Sequence, residues 1–283
     1  MTNFFNKVCG VLGLLMLNFF AQNAIAETYS FSVVPLRSAV LTAQYWNPIL
    51  AYVSSKSGVT LELKVSRSVT ENALALEEGR DDFHYSYLIF RPKVQLQKYR
   101  VILKPSSGEI RSQIVVLANS PIKFVKELDG REVGFPSKSG FIAYALPMDY
   151  LLRQKIAVKP VFGGNQEGIL GQLKAGQVVA VGVSSQVMSA YAARENLAYK
   201  IIWESPPNEG FPISVHPRIP VAIVNKIHDV FVAMNKDAEG VKILEESAQK
   251  VGQKPPYGFV NASNKNYPQF VGFYQKTLVK DLE

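Results

Sequence analysis

YSFSVVPLRSAVLTAQYWNPILAYVSSKSGVTLELKV, residues 29–65, holds three structural elements in order. Tyr29–Val34 is a short apolar run carrying β-branched residues, as in a strand. Asn47–Lys56 (NPILAYVSSK) spaces its apolar residues for one face of a helix, and Pro48 is expected in the first turn, where a missing N–H leaves no bond unmade. Leu61–Val65 (LELKV) alternates apolar and polar residues as a strand does. Working outward, Val69–Glu78 repeats apolar residues at helical spacing and stops at Gly79, and Phe83–Tyr87 reads as a further strand. The order β-α-β-α-β predicts parallel strands with helical crossovers, the α/β class.

The same order is predicted a second time. Gln113–Ala118 (QIVVLA) is a strand, Lys126–Gly130 a helix end and turn, and Glu132–Phe135 another strand. A helix from about Pro147 to Lys155, a strand at Val158–Phe162, a helix over Gln166–Ala175 and a buried strand at Val178–Val183 follow. No repeat shows in the letters themselves, so two α/β lobes are read from the order of elements alone.

The first 26 residues stand apart from this plan. Lys7 leads an apolar run from Val8 to Phe20, shorter than the roughly 20 residues that span a bilayer. Ala24-Ile25-Ala26 then supplies the small-x-small pattern of a signal-peptidase site, so residues 1–26 are expected to be a cleavable signal peptide and the remainder to work in the periplasm. Cys9 lies inside that segment, which leaves the chain from Glu27 onward without cysteine and dependent on a packed core. That stretch is long enough for one large domain or two of average size.

Composition narrows the functional class. With 47% hydrophobic and 19% charged residues the chain is expected to be globular rather than disordered. The net charge of +8 is scattered singly, a weak pointer to an anionic ligand or a membrane surface and not the block or stripe that nucleic-acid binding requires. There is no GxSxG elbow, Walker loop or HExxH, and no cysteine nucleophile beyond Cys9, so neither an enzyme nor a cofactor is expected. The paired carboxylates Glu77/Glu78 and Asp81/Asp82 read as solvated charge, and His216 and His228 read as structural. No pair of histidines or acids has metal-ligand spacing, so no metal site is expected.

One loop carries chemistry. FPSKSGFIAYALP, residues 135–147, places Ser137, Lys138, Ser139 and Gly140 between a strand and a helix. A strand feeding a helix through such a turn leaves backbone N–H groups unpaired and pointing the same way, which favours an anion. The two hydroxyls add donors, Gly140 permits close backbone approach, and Lys138 adds positive charge. Because proline breaks a continuous helix, a short turn is expected over Gly140–Ala145 before the helix starts at Pro147.

The order of these motifs resembles that of the substrate-binding proteins of phosphate, phosphite and phosphonate ABC transporters. Five segments carry the resemblance: VVPLRSAVLTAQYWNPILAYVSSKSG, ALEEGRDDFHYSY, RSQIVVLANSPIKFVKELDGREVGFPSKSG, FGGNQEGILGQLKAG and ESPPNEGFPISVHPRIP. The resemblance implies a two-lobed type II periplasmic binding protein with the ligand enclosed between the lobes. Lobe 1 would hold residues 27–115 plus 213–283 and lobe 2 residues 116–212, with crossovers near Ile114–Ala118 and Pro206–Ser214.

The resemblance also implies ligand contacts at Tyr45, beside Trp46, and at a second aromatic for which Tyr85, Tyr87 and Phe90 compete, with His84 an extra candidate. Ser137, Lys138, Ser139 and Gly140 match the family's anion loop. Asn165 stands where the family has a histidine and Val179 where it has an acid, which weakens an aminoalkylphosphonate reading and favours phosphate or another small oxyanion; Glu167 is a candidate substitute acceptor. The implied function is capture of a small oxyanion for an ABC permease at the inner membrane by a monomeric protein, with no nucleic-acid partner. Its alternative is a ligand-binding sensory input for a membrane-bound kinase, cyclase or chemoreceptor.

Overall fold

The computed structural model describes residues 27–280 and residue 282; the expected signal peptide lies outside the described residues. The chain begins with β1 (Thr28–Val33), α1 (Ala39–Ser57), β2 (Thr60–Val65), α2 (Val69–Glu77), β3 (Phe83–Tyr85), the one-turn α3 (Pro92–Gln95) and β4 (Arg100–Pro105). There follow β5 (Ser112–Leu117), β6 (Glu132–Phe135), α4 (Leu146–Arg153), β7 (Lys159–Phe162), α5 (Gln166–Lys174), β8 (Ala180–Ser184), α6 (Ser185–Glu195) and β9 (Tyr199–Glu204). The last part comprises β10 (Ile213–Val215), α7 (Val221–Ala233), α8 (Ala238–Lys250), β11 (Phe259–Asn261) and α9 (Pro268–Lys276).

Two sheets result, ordered β11-β4-β10-β3-β1-β2 and β7-β6-β8-β5-β9. The predicted parallel units are present in both: β1 runs parallel to β2 and β3, and β6 parallel to β7 and β8. Each is then extended by antiparallel strands, β10 beside β3 in one and β5 beside β8 in the other. The two sheets thus share one plan, as the expected two-lobed α/β architecture requires.

The chain passes between the sheets over residues 106–111 and 205–212. The passages lie side by side, Ile110 and Asn208 exchanging backbone hydrogen bonds of 2.8 Å each way. The first passage is upstream of the expected Ile114–Ala118, because Ile114 is paired with Gly182 and Trp203 inside the second sheet. Residues 112–115 accordingly belong with the second sheet.

Three further expectations need correction. α1 starts at Ala39, well before Asn47, because the Ser38 hydroxyl caps it by accepting from the Leu41 N–H at 3.3 Å. Pro48 is therefore inside the helix; it and Gln44, whose carbonyl it leaves without an N–H, are both exposed, so water satisfies that carbonyl. Asp81 and Asp82 are not merely solvated. Asp81 is buried and accepts from the Ser32 hydroxyl at 2.7 Å, and Asp82 accepts from the Ser30 N–H at 2.8 Å, stitching the approach to β3 against β1.

The core of the first sheet is aromatic and continuous with the cleft. Phe31 on β1 packs on Trp46 of α1 at 4.8 Å and on Phe231 of α7 at 6.1 Å between ring centroids. Val133, Phe135, Leu151 and Ala180 anchor one face of the second sheet, and Val115, Ile169, Leu173 and Val181 the other.

Candidate functional site

In open α/β sheets a ligand meets the carboxyl ends of the parallel strands. Here those ends, after β1, β3, β6 and β8, converge between the two sheets. A cavity of about 200 Å³ lies there. Arg37, Thr42, Tyr45, Trp46 and Tyr85 line it from the first sheet's side. Gln186 and Ser189 of α6 face it from the second, Ser107–Glu109 of the first passage form one edge, and Val251–Pro255 after α8 form another.

The aromatic wall is fixed by the local fold. β1 and β3 pair in register with Val33 opposite Tyr85, and the Val34 N–H donates to the Tyr85 carbonyl at 3.2 Å. Trp46, packed in the core behind, meets Tyr45 edge-on at 5.1 Å and Tyr85 at 4.9 Å. Burial pushes the Tyr45 hydroxyl up to about 12, with Arg37 pulling the other way, and raises Tyr85 well above its ordinary value. Both phenols are therefore neutral donors at any physiological pH.

Arg37 supplies the charge. It stands on the loop from β1 to α1, directly before the Ser38 cap. Its Nε is buried and meets no acceptor among the described residues. Burial holds the guanidinium below the usual arginine value, against the opposing pull of Glu167, Tyr85 and Tyr45. It remains a cation, since arginine does not lose its proton in proteins. Glu167 is itself paired with Arg194 at 2.9 Å and accepts from the Ser38 N–H at 3.4 Å, so it joins the two sides of the cleft.

Of the residues singled out in the sequence, Tyr45 and Tyr85 come together on this cavity, and Trp46 with them. Tyr87 does not line it; it follows β3 on a 3-10 turn and is buried among Phe211, Phe270 and Phe141, with its hydroxyl donated to the Glu209 carbonyl. Phe90 packs in the same group against Tyr267 and Phe270. His84 is a core residue on β3: its Nε2 lies 3.1 Å from Asn72 Oδ1 and 3.6 Å from the Asp81 carboxylate, and burial takes it down to about 3, hence neutral.

The serine loop is also off the larger cavity. Ser137 and Ser139 are buried, the Ser139 N–H donates to the Ser137 hydroxyl at 3.2 Å, and the Gly140 N–H donates to the Ser137 carbonyl at 3.3 Å. The Ser139 hydroxyl meets no partner among the described residues. Lys138 is part-exposed beside them. Gly140 borders a smaller space of about 30 Å³ with Phe141, Tyr87 and Phe211, and Val34 and Leu36 line both this space and the larger cavity. The short turn expected before α4 is present as a π-helical turn over Phe141–Ala145.

Asn165 caps α5, its side-chain oxygen accepting from the Gly168 N–H at 2.8 Å. Val179 donates its N–H to the Glu132 carbonyl at 3.2 Å and packs against the second core, as an aliphatic residue beside a strand does. Among the described residues no three His, Cys, Asp or Glu side chains are grouped to hold a metal, and no helix is long and apolar enough to cross a membrane.

Arg37 is the cavity residue that the sequence reading misses. The pattern V-P-L-R-S looks like an ordinary loop, and only its place at the carboxyl end of β1, just before a helix cap, marks it.

Comparison with known proteins agrees with this architecture. No curated protein matches the chain. Among solved structures it is similar to a binding protein component of an ABC phosphonate transporter from Pseudomonas aeruginosa, with a TM-score of 0.76, 15% identity, and 88% of this chain and 87% of the other covered. A protein of Prochlorococcus marinus in complex with methylphosphonate gives 0.73 at 14% identity, covering 88% and 98%. One from Xanthomonas citri bound to chloride gives 0.67 at 14% identity, covering 88% and 97%. At such identities the likeness is one of fold. Residues 31–267 match the family described as ABC transporter, phosphonate, periplasmic substrate-binding protein, and the chain belongs to that family.

Proposed function

We propose that this protein captures a small oxyanion of the phosphate, phosphite or phosphonate class in the periplasm and delivers it to an ABC permease at the inner membrane. In this reading residues 1–26 are removed on export, the protein acts as a monomer, and it carries out no chemical step. The two sheets with their helices act as lobes, 27–105 with 213–283 and 112–204, that enclose the ligand between them. Tyr45 and Tyr85 face it across the cavity.

The single observation that carries the reading is Arg37, part-buried and with its Nε buried and without an acceptor among the described residues, lining a cavity of about 200 Å³ between the sheets. Partial burial of a cation costs free energy, which a bound anion offsets. Hydrogen bonds to a charged oxygen are roughly twice as strong as neutral ones, and enclosure strengthens them further. Binding near 1 µM, about 8 kcal/mol, is within reach of such a site. The size suits an ion rather than a drug-sized molecule, whose pockets run from about 300 Å³ upward.

Isothermal titration of phosphate, phosphite, methylphosphonate and sulfate into the mature protein tests this. One tight ligand with one-to-one stoichiometry is expected. No heat from any of the four contradicts oxyanion capture.

A further inference from the structure

We propose that the ligand is a phosphonate carrying a second anionic group on a short carbon linker, a phosphonocarboxylate, and that this second group lies in the larger cavity on Arg37. This rests on the capture reading above and names the substrate class of the same site.

The two loops adjoin. Leu36, the residue before Arg37, and Gly140, the residue after Ser139, both line the smaller space of about 30 Å³. Each loop brings a donor that the protein leaves unused: the hydroxyl of Ser139, a residue only 3% exposed, and the Arg37 Nε, both buried and without a partner among the described residues. A phosphonate head seated where the loops meet takes a bond from each.

Beside that meeting point lies the larger cavity, about 200 Å³, whose lining is of two kinds. Val34 and Leu36, which line both spaces, and the rings of Trp46 and Tyr85 offer surface to methylene groups. The charged lining residues are Arg37, Lys254 and Glu109, which sum to plus one (+1, +1 and −1). Glu109 is exposed, so its charge is hydrated and screened. Glu167, which acts on Arg37 from outside the lining, is committed to Arg194 at 2.9 Å and to the Ser38 N–H at 3.4 Å. An ammonium group on the ligand therefore finds no free buried carboxylate in this lining, whereas a carboxylate meets a donor. A guanidinium presents five N–H groups in one plane, enough for an oxygen of the head and both oxygens of a carboxylate. Gln186 and Ser189 of α6 add neutral donors from the second lobe.

Titration calorimetry of methylphosphonate, ethylphosphonate, phosphonoacetate, phosphonopropionate and aminoethylphosphonate into the mature protein tests this. The better of the two carboxylates is expected to bind about tenfold or more tighter than ethylphosphonate, which has the carbon without the second charge. Aminoethylphosphonate is expected to bind no tighter than ethylphosphonate. In Arg37→Gln the advantage of the carboxylates over ethylphosphonate is expected to shrink to about twofold or less, and Arg37→Lys to restore part of it. The wild-type series is decisive without either variant. Carboxylates that bind no tighter than ethylphosphonate, or aminoethylphosphonate as the tightest of the set, overturn the proposal and leave capture intact. An advantage that survives undiminished in Arg37→Gln overturns the placement of the second group on Arg37. Absence of heat from the whole set and from phosphate, phosphite and sulfate sinks the capture reading instead.

Discussion

Two loops occupy matching places in the two lobes. Pro35-Leu36-Arg37-Ser38 follows β1, and Pro136-Ser137-Lys138-Ser139 follows β6, each the middle strand of a three-strand parallel unit. The first borders a cavity of about 200 Å³ with a buried, unsatisfied guanidinium nitrogen. The second turns its Ser139 and Gly140 N–H groups onto Ser137, leaves the buried Ser139 hydroxyl without a partner among the described residues, and borders a smaller space of about 30 Å³ that Pro35 and Leu36 line from the first loop. Similar letters at equivalent positions thus meet different surroundings within one cleft. The difference comes from what the rest of the chain lays over each loop: Ser107–Glu109 and Val251–Pro255 leave room above the first, while Phe141, backed by Phe270 of α9, narrows the space beside the second.

The sharpest way to break this comparison is to unroof the second loop. Phe270 is fully buried against Tyr87, Phe90 and Phe141, so Phe270→Ala is expected to lower stability in urea by about 3–5 kcal/mol. Measured well below its unfolding midpoint, its affinity for the tightest oxyanion should match that of the wild type; a large change in affinity makes the packing behind Phe141 part of the ligand site.

A smaller cut releases the fastening. Asp149→Ala deprives Thr277, Leu278 and Arg153 of their shared acceptor and is expected to destabilise by about 2–3 kcal/mol. Hydrogen exchange should quicken at Leu278 and Val279 and stay unchanged at Tyr45 and Tyr85.

Acid acts on the first lobe. His84, held near 3 by burial, stays neutral when folded but takes a proton near its ordinary value of about 6.5 when unfolded. The unfolded chain therefore binds more protons, and stability falls as pH drops from about 6.5 towards 3, by at most about 1.4 kcal/mol per pH unit. Asp81, raised by burial, works in the opposite sense just above the ordinary carboxylate range, where the folded state keeps a proton that the unfolded state releases. Urea denaturation at pH 7 and pH 5 should show this loss in the wild type and a reduced one in His84→Gln.

The mildest probe stays on the cavity. Tyr85→Phe removes one neutral donor and is expected to weaken the tightest oxyanion about tenfold, or about 1.4 kcal/mol, with stability changed by less than about 1 kcal/mol. Calorimetry and urea denaturation read the two quantities, and an unchanged affinity places the phenol away from the ligand.

The local elements were legible because apolar runs and caps are local signals. The parallel units around β1 and β6 follow from YSFSVV, LELKV and the later strands, and Tyr45 and Tyr85 reach the cavity because they flank such elements. Ser38 was a readable cap that Pro48 obscured. Arg37 was not legible, since an arginine in a loop is ordinarily solvated and its cavity is assembled from segments far downstream. The narrowing beside the serine loop was hidden for the same reason: Phe270 and Phe273 arrive from the end of the chain. The match between the two P-x-(R/K)-S loops became visible only once the strand orders aligned them.

A crystal structure of the mature protein with methylphosphonate addresses the central claim most directly. The account predicts methylphosphonate in the cleft between the sheets, with an oxygen on Arg37 and with Tyr45 and Tyr85 beside it. Methylphosphonate bound outside that cleft, or Arg37 turned away from it, would contradict the account.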